Sequence, residues 1–163
     1  SANGNAWFIN QLVPANNAKV EMDSLKNINV RTTATFNQEF EGNEGLKSGS
    51  FAVDSMAQTK LLTYHPDTLR YEVNNANDGY LVFSEIYYDD WKVLVDGKES
   101  KLNKVDYTLR GLKVPAGRHE IVCYFNKIES STDKIDFMAS VIILCVLGLN
   151  IALWLKTYFV KTE

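Results

Sequence analysis

Residues 69–125 read LRYEVNNANDGYLVFSEIYYDDWKVLVDGKESKLNKVDYTLRGLKVPAGRHEIVCYF. Runs rich in β-branched and aromatic residues, at Leu69 to Asn74, Gly79 to Tyr88, Trp91 to Asp96, Tyr107 to Val114 and Arg118 to Phe125, alternate with the turn clusters NNAND, DG and PAG. That rhythm predicts a mainly β domain, an antiparallel β-sandwich of jelly-roll or immunoglobulin-like type. In LRYEVN, Leu69, Tyr71 and Val73 fall on one face while Arg70, Glu72 and Asn74 fall on the other, as in a strand with one wet side. YLVFSEIYY and HEIVCYF are largely apolar on both faces, which predicts central strands covered above and below. Asp96-Gly97 predicts a type I′ hairpin, since both residues tolerate positive φ. Pro115-Ala116-Gly117 plays a similar part before the last strand, with Pro presetting φ at the first turn position.

Toward the N-terminus, a further strand is predicted near Ala57 to Tyr64, and EFEGNEGLKSGS reads as a loop because of Gly42, Gly45 and Gly49. RTTATFN, from Arg31 to Asn37, is Thr-rich and reads as a strand. NNAKVEMDSLKNI reads as a short helix capped by Asn16 or Asn17, with Val20, Met22, Leu25 and Ile28 as an apolar stripe. Ala6 to Val13 is a short apolar strand candidate.

Toward the C-terminus, Phe137 to Leu155 reads FMASVIILCVLGLNIALWL, with Asn150 its only strongly polar member. At a rise of about 1.5 Å per residue, about 20 helical residues match a hydrocarbon thickness of ~30 Å. Trp154 and Tyr158 stand where interfacial anchors belong. The predicted organisation is therefore a β-sandwich over 1–128, a linker over 129–134, a transmembrane helix over 135–158 and a tail over 159–163, with the bilayer as a partner through Phe137 to Leu155. Lys127 and Lys134 before the helix balance Lys156 and Lys161 after it, so charge assigns no orientation. The opening SANGNAWF has neither a basic n-region nor an apolar h-region, so an external placement calls for delivery by upstream helices.

The 17 basic and 20 acidic side chains give a net charge of -3. They leave no electrostatic footprint for nucleic acid, which is excluded as a partner. Cys123 and Cys145 lie in different media, one in a strand and one in the apolar run, so neither a disulfide nor a metal pair is expected. His65 and His119 are the only histidines and neither has a ligand-spaced partner in sequence, so no metal and no cofactor is predicted. No nucleophile elbow, P-loop or dinucleotide fingerprint is present, and Asp89-Asp90 reads as a solvated turn; no catalytic residue is assigned. The polar position of interest is Glu85, between Phe83 and Tyr87 on one face of a central strand. A buried carboxylate there needs a partner, and Arg110 is the first candidate, either as a register-fixing pair or in contact with a ligand. Tyr80, Tyr87, Tyr88 and Trp91 form an aromatic cluster suited to core packing or to stacking on sugar rings, with Trp91 assigned to the core.

The succession from GYLVFSEIYYDDW through VDGKES to RGLKVPAGRHEIVCYF, followed by a linker and an apolar helix, resembles the C-terminal region of the YfhO-type polytopic bacterial membrane proteins. Ser84, Glu85, Tyr87, Tyr88, Trp91, Asp96, Gly97, Arg110, Pro115, Gly117 and His119 carry the likeness, and the opening GNAWF is similar to the start of the same region. Asp89-Asp90 stands where relatives commonly have Pro-Gly, and FNKIESS replaces a tyrosine-and-proline ending. The resemblance implies a fragment of a glycosyltransferase-like protein that takes sugars from polyprenyl-phosphate donors. Many helices would lie upstream, and the β domain would sit on the extracytoplasmic side of the cytoplasmic membrane. It further implies a non-catalytic accessory role, positioning an acceptor or bracing the membrane domain, with upstream helices and glycan as partners. A membrane-anchored carbohydrate-binding or adhesion module and a structural platform for partner proteins are the alternatives.

Overall fold

The computed structural model describes residues 4–126, 138–148 and 150–151, and the chain divides into two units, 1–126 and 127–163. The first unit holds β1 (Ala6–Ile9), β2 (Gln11–Ala15), α1 (Ala18–Ser24), β3 (Thr33–Asn37), β4 (Gly49–Ser50), β5 (Gln58–His65), β6 (Thr68–Asn75), β7 (Gly79–Ile86), β8 (Trp91–Val95), β9 (Lys98–Ser100), β10 (Asn103–Val105), β11 (Leu109–Val114) and β12 (Gly117–Phe125). Three sheets result, ordered β5-β6-β12-β8-β9, β1-β7-β11-β10 and β3-β2-β4. All pairings are antiparallel except β2 with β3, which run parallel.

The five-stranded and four-stranded sheets face each other across one core, built from Leu69, Tyr71, Val73, Val93, Ile121 and Cys123 on one side and Phe8, Leu81, Phe83, Leu112 and Val114 on the other. Tyr71 and Phe83 meet edge to face with centroids 5.2 Å apart, a favoured aromatic geometry. A second core of Ile9, Leu12, Ala34, Phe36, Tyr80, Val82 and Val105 joins the four-stranded sheet to the small three-stranded one. The mainly β reading therefore holds, while the two-layer jelly-roll or immunoglobulin-like architecture is replaced by three layers.

The middle layer explains why β7 is apolar on both faces from Tyr80 to Phe83. With a side-chain period of two, Leu81 and Phe83 enter the first core and Tyr80 and Val82 the second. β12 differs from the expected doubly covered strand. It lies centrally between β6 and β8, but Ile121 and Cys123 are buried whereas Val122 and Tyr124 are only half-buried. The alternation predicted for β6 is present, with Leu69, Tyr71 and Val73 at 3%, 0% and 1% exposure.

Three local readings change and one holds. The strand predicted over Ala6 to Val13 breaks at Asn10, where the chain passes from the four-stranded to the three-stranded sheet and Asn10 N and Gln11 N both donate to Thr32 O at 2.7 and 2.9 Å. The helix is capped by Asn17, whose side chain accepts from Val20 N at 3.0 Å, but its buried residue is Glu21, while Val20 and Met22 are exposed. Asp96 and Gly97 adopt φ of 51° and 77° and close the β8–β9 hairpin as predicted. Pro115 to Gly117, by contrast, joins strands of different sheets and forms a crossover instead of a hairpin.

In the second unit, residues 138–148 and 150–151 are helical. Ile142, Ile143, Leu144, Val146 and Leu147 are all exposed on it, so apolar side chains point outward around the whole helix. Asn150 Nδ2 donates to Val146 O at 2.8 Å, which satisfies the polar group within its own helix. Among the described residues no helix is long and apolar enough to cross a membrane. The predicted span 135–158 extends over 135–137, 149 and 152–158, which lie outside the described residues. The predicted linker and tail lie outside them as well.

Candidate functional site

The site forms where β7 runs out against β11. Arg110 pairs with Phe83 but Leu109 pairs with Ile86, a register shift that leaves Ser84 and Glu85 without partners on β11. Such a bulge bends the strand and re-aims its side chains. Past it, Tyr87 N donates to Thr108 O at 2.8 Å, which fixes the exit toward the Tyr88 to Asp90 turn.

Arg110 is 4% exposed. Its Nε donates to Ile86 O at 2.8 Å, and its Cζ lies 4.0 Å from the centroid of the Trp91 ring. Nη1 is buried without a partner. Burial pushes the guanidinium's pKa down from its ordinary value, opposed by the fields of Cys123 and Glu85, and the group remains charged. The predicted Glu85–Arg110 ion pair is corrected here: Glu85 is half-buried and makes no salt bridge with Arg110 among the described residues. The register shift puts an aromatic face, not a carboxylate, against the guanidinium.

Trp91 is half-buried, packs on the first core and meets Phe125 edge to face at 5.7 Å. It also lines two surface clefts. The first, of about 460 Å³, is bounded by Gly42, Tyr87, Asp89, Trp91, Lys92, Glu99, Ser100, Lys101 and Leu102. The second, of about 390 Å³, is bounded by Pro66, Asp67, Tyr88, Asp90, Trp91 and Phe125. Asp89 and Asp90 thus serve different clefts. Tyr87 stacks edgewise on Phe40 at 5.6 Å, and burial, then a hydrogen bond to Asp89, pushes its hydroxyl up to about 12. Tyr88 is exposed, and Tyr80, grouped with these residues by sequence, is buried in the second core away from them.

Sequence spacing also hid a histidine–carboxylate contact. His119 Nδ1 lies 2.5 Å from Asp96 Oδ2 and its Nε2 lies 3.2 Å from Ala116 O. The Asp96 hydrogen bond is the main reason the imidazole pKa is raised and the carboxyl pKa lowered. With both ring nitrogens engaged, the pair suits a structural clasp on the crossover better than a proton shuttle. Among the described residues no group of three or more His, Cys, Asp or Glu is placed to hold a metal ion. Cys123 and Cys145 are both free thiols.

Fold and site define a class: a layered β domain with an aromatic-walled, charge-bearing surface and an apolar helical segment after it. Residues 47–127 match the family model described as Bacterial membrane protein YfhO, and the chain belongs to this family of bacterial membrane proteins. The match runs from β4 through β12 and so contains Trp91, Arg110 and, Gly42 apart, the residues that line both clefts. Neither a curated protein nor a solved structure matches the chain.

Proposed function

We propose that this chain is the extracytoplasmic accessory region of a glycosyltransferase-like membrane protein, non-catalytic in itself, whose Trp91 surface contacts the sugar of a lipid-linked donor or an acceptor glycan. One observation carries the reading: a single half-buried indole, braced from behind by the Arg110 guanidinium, forms a wall of two open clefts whose other members include tyrosines, carboxylates and lysines. Aromatic faces flanked by hydrogen-bonding groups suit pyranose rings, which offer an apolar face and a hydroxyl edge. Asp89 and Asp90 line separate clefts, so this adjacent pair does not flank one bond as the two carboxylates of glycoside chemistry must.

The apolar run from Phe137 to Leu155 is proposed as the bilayer anchor. Its outward-facing Ile, Leu and Val side chains and the self-satisfied Asn150 both suit hydrocarbon surroundings. The test is incubation of the full chain in vesicles with lipid-linked sugars and a glycoside panel. Binding without turnover is expected. Turnover abolished by Asp89→Asn, Asp90→Asn or Glu85→Gln would overturn the accessory role.

A further inference from the structure

Away from the clefts, α1 and the turn after β10 enclose polar atoms that the sandwich does not need. Glu21 is 1% exposed, Thr35 1% and Asp106 7%. The backbone holds one oxygen of each carboxylate: Glu21 Oε1 accepts from Tyr107 N at 3.0 Å, and Asp106 Oδ1 accepts from Thr35 N at 2.8 Å. The other oxygens, Glu21 Oε2 and Asp106 Oδ2, are buried without partners, and so is the Thr35 hydroxyl. Asp106 and Tyr107 take positive φ, 48° and 69°, although neither is glycine. Backbone strain of this kind persists only where surrounding contacts over-determine it.

We propose that Glu21 and Asp106 form a proton-binding site, a buried acid–carboxylate pair that holds one proton between them and uses it to latch α1 onto the turn after β10. An ionised carboxylate accepts only, so two buried ones, near enough for the charge of Glu21 to act on Asp106, have no donor for their outer oxygens. One added proton turns one group into a donor toward the other, and the Thr35 hydroxyl supplies the second donor. The donors and acceptors then balance.

A metal ion fits less well. Calcium takes about six to eight oxygen ligands, and here three oxygens stand free, each closed to solvent. The surrounding charges agree with proton capture. β2 and β3 bring no titratable side chain. β10 brings Lys104, which acts on Glu21 from a position over the Phe40 ring, and β7 brings Tyr80, which stays neutral next to Asp106. Burial, and then the Glu21 charge, push the Asp106 carboxyl up to about 6, and burial also raises Glu21.

The sign follows from linkage. A carboxyl raised in the folded state keeps its proton where the unfolded chain has lost it, so its contribution is complete below the unfolded value and disappears as pH rises through the folded one. The experiment measures the urea-unfolding equilibrium of the full chain in detergent between about pH 4 and about pH 8, for the wild type, Glu21→Gln and Asp106→Asn. Carbon-13 NMR of the wild-type carboxyls accompanies it.

From about pH 4 to about pH 6, the proton pair should cost the folding equilibrium close to tenfold per pH unit relative to Glu21→Gln, whose amide is a donor at every pH. The carboxyl resonances should show one group protonated above its ordinary range. Identical pH profiles for wild type and both variants would overturn the proposal. So would carboxyl resonances that titrate in the ordinary range, or a calcium-dependent gain in stability at about pH 8 that Glu21→Gln abolishes. If either variant fails to fold, the wild-type resonances decide alone.

Discussion

Arg110 and Trp91 should be energetically coupled, and Arg110 and Glu85 should not. The perturbation is a pair of double-mutant cycles, Arg110→Met with Trp91→Leu and Arg110→Met with Glu85→Gln. Met keeps the length of the arginine stem while removing the guanidinium. That loss takes away the donor to Ile86 O, a charge-assisted bond worth about 1.5–3 kcal/mol, and the stacking at 4.0 Å on Trp91, worth about 1–2 kcal/mol for a desolvated cation. Removing the unpartnered Nη1 works the other way, because an unsatisfied buried donor costs about 1–3 kcal/mol. The net loss for Arg110→Met alone is therefore about 1–3 kcal/mol. The hydrogen bond to Ile86 O and the Nη1 penalty appear in both legs of the cycle and cancel, which leaves a Trp91 coupling of about 1–2 kcal/mol. With no ion pair to Arg110, Glu85 should give a coupling under about 0.5 kcal/mol. Urea unfolding of the full chain in detergent, followed by near-ultraviolet circular dichroism, measures the wild type, the three single and the two double variants. A Glu85 coupling larger than the Trp91 coupling would refute the stacked geometry and restore the ion pair.

Gly111→Ala should destabilise the fold by about 1–3 kcal/mol, since an added Cβ would stand 2.5 Å from the hydroxyl of the fully buried Tyr80; an unchanged urea midpoint would show that Tyr80 does not pack there. The His119–Asp96 clasp should act within a pH window. The raised histidine contributes below its ordinary value of about 6.5 and fades as pH climbs through the folded one, while the lowered Asp96 contributes above about 3.9 and fades as pH falls through its own. His119→Gln should erase this dependence in a pH-resolved melting series, and a variant that tracks the wild type throughout would remove the clasp. Cys123 is fully buried with its thiol pushed up to about 12, so it should resist alkylation in the folded chain and react only after unfolding, as mass spectrometry of labelled peptides would report.

Strands were readable wherever burial on one side imposed alternation, as at Leu69, Tyr71 and Val73, and the Asp96-Gly97 turn was readable because its residue types match the φ it requires. The third layer was not. β7 is apolar on both faces whether it is covered by helices, by a second sheet or by two sheets, and Ala6 to Val13 gives no sign that Asn10 transfers the chain between sheets. The turn after β10 was hidden because Asp106 and Tyr107, not glycine, take the positive φ. At the site, Trp91, Tyr87, Tyr88 and Arg110 were found as residue types, yet the Arg110 partner was misassigned. A register shift at Leu109/Arg110 leaves no mark in the alternation pattern but moves Glu85 out of pairing. Glu21 is hidden in the sequence because it falls off the stripe of Val20, Met22, Leu25 and Ile28, where a carboxylate reads as part of the solvated face, yet it is the helix's buried residue.

Sugar contact at Trp91 is tested most directly by proton–nitrogen NMR of the indole groups, with the chain held in lipid nanodiscs and titrated with a polyprenyl-phosphate sugar. Trp7 serves as the internal control, because its Nε1 donates to Val30 O at 3.1 Å in the N-terminal part of the domain. A saturable shift of the Trp91 resonance with Trp7 unmoved, lost on competition by the free glycan, is the predicted result. A Trp91 resonance that stays fixed while the sugar lipid saturates the disc would contradict the account.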